Sequence, residues 1–196
     1  MKKYQKSLFD EIDNKNKNKN KKTLIYFIYN DRIDSGILKA QVYQPLINAK
    51  NYEGKYLVLI WQPHIILNEF KKIKNLKNHL LQREIFLICL PIAFPSKYLE
   101  KTLFFKFYLK LLGMTIGNLL IFLKSFLKKK NANQIILIAR SYHAALVAAF
   151  VKKKIRELTF IFDPRSLYPE ESCTVQKWAL GSEEYFRWKY IENIIL

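Results

Sequence analysis

The chain of 196 residues and 23.4 kDa is long enough for one compact α/β domain and too short for two domains of ordinary size. Half of it is hydrophobic and 15% is aromatic, which excludes a disordered polypeptide. Lys and Arg outnumber Asp and Glu by 34 to 16, and the resulting charge of +18 draws the protein toward something anionic: nucleic acid, a phospholipid surface or a phosphorylated substrate.

Residues 10–22 form a Lys/Asn tract without apolar periodicity, so 1–22 read as a disordered arm. From 23 onward short apolar runs rich in β-branched and aromatic residues alternate with longer stretches of helical period. The runs Thr23–Tyr29, Tyr56–Trp61, Glu84–Leu90, Gln134–Ala139 and Leu158–Phe162 are almost continuously apolar, as strands buried on both faces require. Between and after them the spacing predicts helices at about 36–50, 66–81, 99–128, 141–154 and 182–195. The implied fold is a single Rossmann-like α/β domain over 23–196, its parallel sheet covered by helices on both faces and joined by right-handed crossovers.

The bias toward Lys narrows the choice of anion. Of the basic residues 28 are Lys and 6 are Arg, whereas base-edge reading relies on the planar, bidentate Arg fork, so no specific nucleic acid is expected as a partner. Cys89 in an apolar run and Cys173 in a polar loop have neither metal-site nor disulfide spacing, which fits a cytoplasmic setting. The Lys-rich N-terminus is followed by no apolar segment with a cleavage site, so no secretory signal is read there. Only 13 residues separate Lys110 from Lys124, against the roughly 20 that a membrane-spanning helix needs.

In an open parallel sheet the ligand site lies outside the carboxyl ends of the strands. That rule selects Asp34-Ser35-Gly36 after the first strand, where Asp34 or Ser35 can cap a helix and glycine lets a ligand oxygen approach backbone N–H groups. It also selects Arg140-Ser141 after the fourth strand, Ser141 as a cap and Arg140 either for a phosphate or carboxylate or for an ion pair with Asp163. After the fifth strand come Asp163 and Arg165, where a carboxylate can act as general base toward a hydroxyl, or the two side chains can brace the loop.

The stretch ARSYHAALVAAFVKKKIRELTFIFDPRSLYPEE (139–171), followed by Trp178, Gly181-Ser182 and a helix carrying Lys189-x-x-Glu192, resembles the N-terminal domain of retaining, family-4-like bacterial glycosyltransferases. The Asp-Ser-Gly loop with Gln41 is similar to that family too, while Ser166 stands where the family pattern has Gly. The resemblance implies the N-terminal half of a GT-B architecture in surface-polysaccharide synthesis. Its partners would be a nucleotide sugar, a glycan or lipid-linked acceptor, and a separate C-terminal donor-binding subunit. Asp163 and Arg165 would be catalytic, bordering the acceptor hydroxyl and the sugar phosphate, and Asp34, Ser35, Gly36, Arg140 and Ser141 would bind substrate. No metal and no cofactor are expected. Because the sequence stops at Leu196 without a donor domain, it reads as half of a split enzyme or as an inactive truncated remnant. A non-enzymatic basic peripheral membrane protein is the alternative.

On the helix expected at 99–128, Lys106, Lys110, Lys124 and Lys128 fall within about 40° of one another beside a broad apolar surface. This stripe predicts contact with an anionic membrane surface, placing the protein at the inner face of the cell membrane.

Overall fold

A computed structural model of the chain describes residues 22–29, 33–49, 52–61, 63–91, 113, 117, 134–155, 158–164 and 166–196. The first apolar run forms β1 (Lys22–Tyr29), all eight residues of which are buried, as a strand covered on both faces must be. It is followed by a helical segment α1 (36–48), β2 (Tyr52–Trp61), α2 (Pro63–Asn68), α3 (Phe70–Leu81) and β3 (Ile85–Pro91). The second half contributes β4 (Gln134–Arg140), α4 (Tyr142–Lys152), β5 (Leu158–Asp163), α5 (Tyr168–Thr174) and α6 (Glu183–Ile195).

The strands form one five-stranded sheet in the order β3-β2-β1-β4-β5, and every pairing is parallel. Successive side chains of a strand point to opposite faces, so β1 feeds two cores. Ile25, Phe27 and Tyr29 join Ala144, Ala145, Val147, Ala148 and Val151 of α4 and Trp188, Ile191 and Ile195 of α6. Leu24, Tyr26 and Ile28 join Leu38, Val42, Tyr43 and Leu46 of α1 and Ile73 and Leu80 of α3. The alanines of α4 let that helix lie close against the sheet. The strand order runs outward in both directions from β1 and β4, so the topological switch point falls between these two strands.

Among the described residues the five expected strands and the helices expected at about 36–50, 141–154 and 182–195 are present, β2 beginning four residues earlier than expected, and the chain departs from expectation elsewhere. Residues 1–21 of the arm lie outside the described residues, and β1 begins at Lys22, which is buried rather than part of the arm. The helix expected at 66–81 is two helices that meet at Glu69, the first opening at Pro63. Cys173 lies on α5, where a polar loop is expected; Pro169 in its first turn and Glu170 and Glu171 at its positive end stabilise that helix. Of the segment expected to be helical over 99–128, Gly113 and Gly117 are described. Both are helical and buried, so close to the α4 region that an added Cβ would come 2.9 Å from Phe150 or Lys154.

Candidate functional site

The carboxyl ends of β4 and β5 lie side by side, and their register places Arg140 directly opposite Asp163. Arg140 is only 2% exposed, so its charge needs partners. Its Nη1 donates to Asp163 Oδ2 at 3.2 Å, and its Nη2 donates to Gln41 Oε1 of α1. The Asp163 side chain is 29% exposed, so the pair joins a buried cation to a carboxylate that still reaches solvent. The next backbone N–H, that of Ser141, donates to the Asp163 carbonyl at 3.3 Å and ties the two strand tips together. Beneath them the buried Tyr26 hydroxyl is pushed well above its ordinary pKa, by burial first and then by the Asp163 charge.

Gln41 reaches this cluster because α1 is not a uniform α-helix. Residues Gly36–Leu38 and Gln44–Asn48 are α-helical, but Lys39–Tyr43 is a π turn in which the Gln44 N–H donates to the Lys39 carbonyl. Pro45 supplies the cause, since in an α-helix its ring would clash with the carbonyl of residue 41 and it has no N–H to donate. The widened turn accommodates the ring, and Gln41 of that turn is the residue that contacts Arg140.

Ser35 caps α1, its Oγ accepting from the Leu38 N–H at 3.1 Å. Tyr43 donates its hydroxyl to the Ile33 carbonyl at 3.0 Å and holds the loop entering the helix. Gly36 is exposed, and a Cβ placed on it would have open space for 4 Å around. Asp34, in contrast, pairs with Lys72 of α3 at 3.3 Å, and Lys72 also meets Glu69 at 2.8 Å. These contacts hold Lys72 protonated above its ordinary pKa, the Glu69 hydrogen bond contributing most.

Ser141 departs from the expectation of a helix cap. It makes no capping hydrogen bond, and its φ of 79° and ψ of 158° lie in a region that essentially only glycine adopts. Its Oγ is buried without a hydrogen-bond partner, so the sharp strand-to-helix turn does not present a hydroxyl to solvent as a nucleophile elbow does. Two residues on, His143 stacks on Tyr29 of β1 at 4.7 Å and meets the edge of Trp188 of α6 at 5.0 Å. Burial, reinforced by Lys177, lowers its pKa to about 4, so the ring is neutral near pH 7.

The Lys189-x-x-Glu192 pair has a structural duty. Tyr142 donates its hydroxyl to Glu192 Oε1 at 2.6 Å, while Lys189 pairs with Glu192 and reaches Glu170 of α5 at 3.0 Å. Burial works against the Glu192 charge, yet the hydrogen bonds from Lys189 and Tyr142 hold its pKa below the usual carboxylate value. Around this network the rings of Tyr142, Tyr168, Trp178 and Trp188 pack edge to face, tilted or stacked, joining α4, α5 and α6.

The structure thus unites Arg140 with Asp163, brings in Gln41, and turns Asp34 away toward α3. Arg165, Lys106, Lys110, Lys124 and Lys128 lie outside the described residues. Gln41 is visible in the sequence only through the familial loop, and the structural roles of Tyr142 and His143 carry no spacing signal. Glu192 has one, a carboxylate among isoleucines in a helix. Among the described residues no group of three or more His, Cys, Asp and Glu could hold a metal ion, and no helix is long and apolar enough to cross a membrane. No protein family, curated protein or solved structure gives a significant match to the chain.

Proposed function

We propose that residues 23–196 are the acceptor-side domain of a retaining, family-4-like GT-B glycosyltransferase, which transfers sugar from a nucleotide sugar to a glycan or lipid-linked acceptor in surface-polysaccharide synthesis. The observation that carries this reading is the part-exposed Asp163 at the strand tip, fixed through Oδ2 by the buried Arg140 beside the switch point. Its Oδ1 is left for a substrate hydroxyl, from which a positioned carboxylate can take a proton. Gly36 offers open backbone on the α1 side, and Arg165 follows two residues after the carboxylate. In this reading the nucleotide sugar sits on a donor-binding domain, and residues 23–196 bind the acceptor. One observation favours a second, non-enzymatic reading: Arg140 is already neutralised by Asp163 inside the protein, as a purely structural ion pair would be.

A glycan array probed with the purified chain separates the two. Acceptor binding should be lost in Asp163→Asn and weakened in Gly36→Val, both variants remaining folded by circular dichroism. Glycan binding unaffected by either change, or absent from the wild type, would leave the structural reading.

A further inference from the structure

The surface of α3 bears a second pattern that the strand-tip cluster does not use. Phe70, Lys74, Lys77 and Leu81 recur at intervals of four, three and four residues, so at 100° per residue they fall within about 60° of one another. All four are exposed, Phe70 at 61% and Leu81 at 51%, and Leu67 at the end of α2 is 75% exposed. Two large apolar side chains thus stand about 16 Å apart along the helix with two lysines between them. Lys71 borders the stripe. Ile73 and Leu80 face the core from the adjoining side, so the stripe is surplus to what α3 needs for packing on the sheet.

The charges on this face are uncompensated. The carboxylates nearby, Asp34 and Glu69, are taken by Lys72, and among the described residues none pairs with Lys71, Lys74 or Lys77. We infer that this α2–α3 surface docks on an anionic lipid bilayer, with Phe70, Leu81 and Leu67 entering the headgroup layer while the lysines snorkel to lipid phosphates. Charge complementarity gives the sign of the partner, and the exposed leucines give its kind. A nucleic acid offers its phosphates to lysine but no apolar phase for Leu67 and Leu81, and α3 carries no arginine with which to grip a phosphate bidentately. Gly113 and Gly117, the described residues of the segment expected to bind lipid, are buried against Phe150 and Lys154, so among the described residues the lipid contact falls to α2 and α3. It stands independently of the glycosyltransferase reading.

The test is co-sedimentation of the full chain with phosphatidylcholine vesicles, and with vesicles in which about a third of that lipid is replaced by phosphatidylglycerol. A parallel titration uses polyuridylate. The wild type should bind the anionic vesicles at least about tenfold more tightly than the neutral ones and release them as salt rises. Lys71→Glu/Lys74→Glu/Lys77→Glu and, separately, Phe70→Ser/Leu81→Ser should each weaken that binding at least about tenfold, with unchanged urea midpoints because every site is exposed. Equal binding to both kinds of vesicle, or anionic binding that survives both α3 variants and disappears only when Lys106, Lys110, Lys124 and Lys128 become Glu, would overturn the inference. So would polyuridylate binding that needs the α3 lysines in a chain that ignores vesicles.

Discussion

Arg140 and Asp163 are unequal partners, and the inequality is measurable. Arg140 is 2% exposed while the Asp163 side chain keeps 29% of its surface in water. Removing the carboxylate leaves a buried cation without its counter-ion Asp163, whereas removing the cation leaves an anion that water can reach. Asp163→Ala should therefore lower the unfolding free energy by about 3 kcal/mol and Arg140→Met by roughly half as much, read from urea melts. The opposite order would mean that the pair is not buried as described. His143 makes a prediction in pH. With a folded pKa of about 4 against an ordinary 6.5, the unfolded chain takes up a proton between these values that the folded chain refuses. Its neutral-state contribution is complete above pH 6.5 and is lost as pH falls to about 4, a change on the order of 3 kcal/mol. His143→Phe should flatten the stability profile in that window. Glu192, whose pKa lies below the ordinary 4.5, loses its contribution only at more acidic pH, so the two residues separate on the same titration.

At the scale of elements, a proline shapes the site from four residues away. Pro45→Ala removes the ring that excludes an α-helical turn at 41, so the π turn should relax to α and Gln41 should swing off Arg140. Backbone and Arg140 side-chain NMR shifts would report it, and an unchanged Arg140 signal would assign the π turn to another cause. The Arg140–Asp163 contact was readable in the sequence because each residue directly follows an apolar run, and parallel neighbours of similar length bring such tips together. The strands were readable for the same reason, their apolar runs being nearly unbroken. Gln41 lies 99 residues from Arg140 and reaches it through a π turn, which no apolar period reveals. α5 escaped because Pro169, Glu170 and Glu171 are loop-forming residues by composition, and only their order, with proline first and acids next, marks a helix start. Ser141 takes the N-cap position that its sequence predicts but not the capping hydrogen bond, since local propensity cannot show a φ of 79° imposed by the β4–α4 turn. Ser141→Gly should relieve that strain and stabilise the chain by about 1 kcal/mol in thermal unfolding, and a loss of stability would show that the serine side chain contributes more than its backbone costs.

Over the whole molecule the sheet divides the work. One face carries α4 and α6 with the aromatic and Tyr142–Glu192 network, the other carries α1 and α3, and the strand-tip cluster stands where the two meet. The chain carries a net charge of +18, and α3 turns exposed lysines and apolar side chains outward on one side of the sheet. The central proposal is that the carboxyl ends of β1, β4 and β5 at the switch point receive a glycan. Its most direct test is a titration of isotope-labelled protein with candidate acceptor oligosaccharides, followed by amide shifts. The account predicts saturable shifts at residues 34–36, 41, 140–143 and 163, lost in Asp163→Asn. Shifts confined to other surfaces, or none with any oligosaccharide, would contradict it.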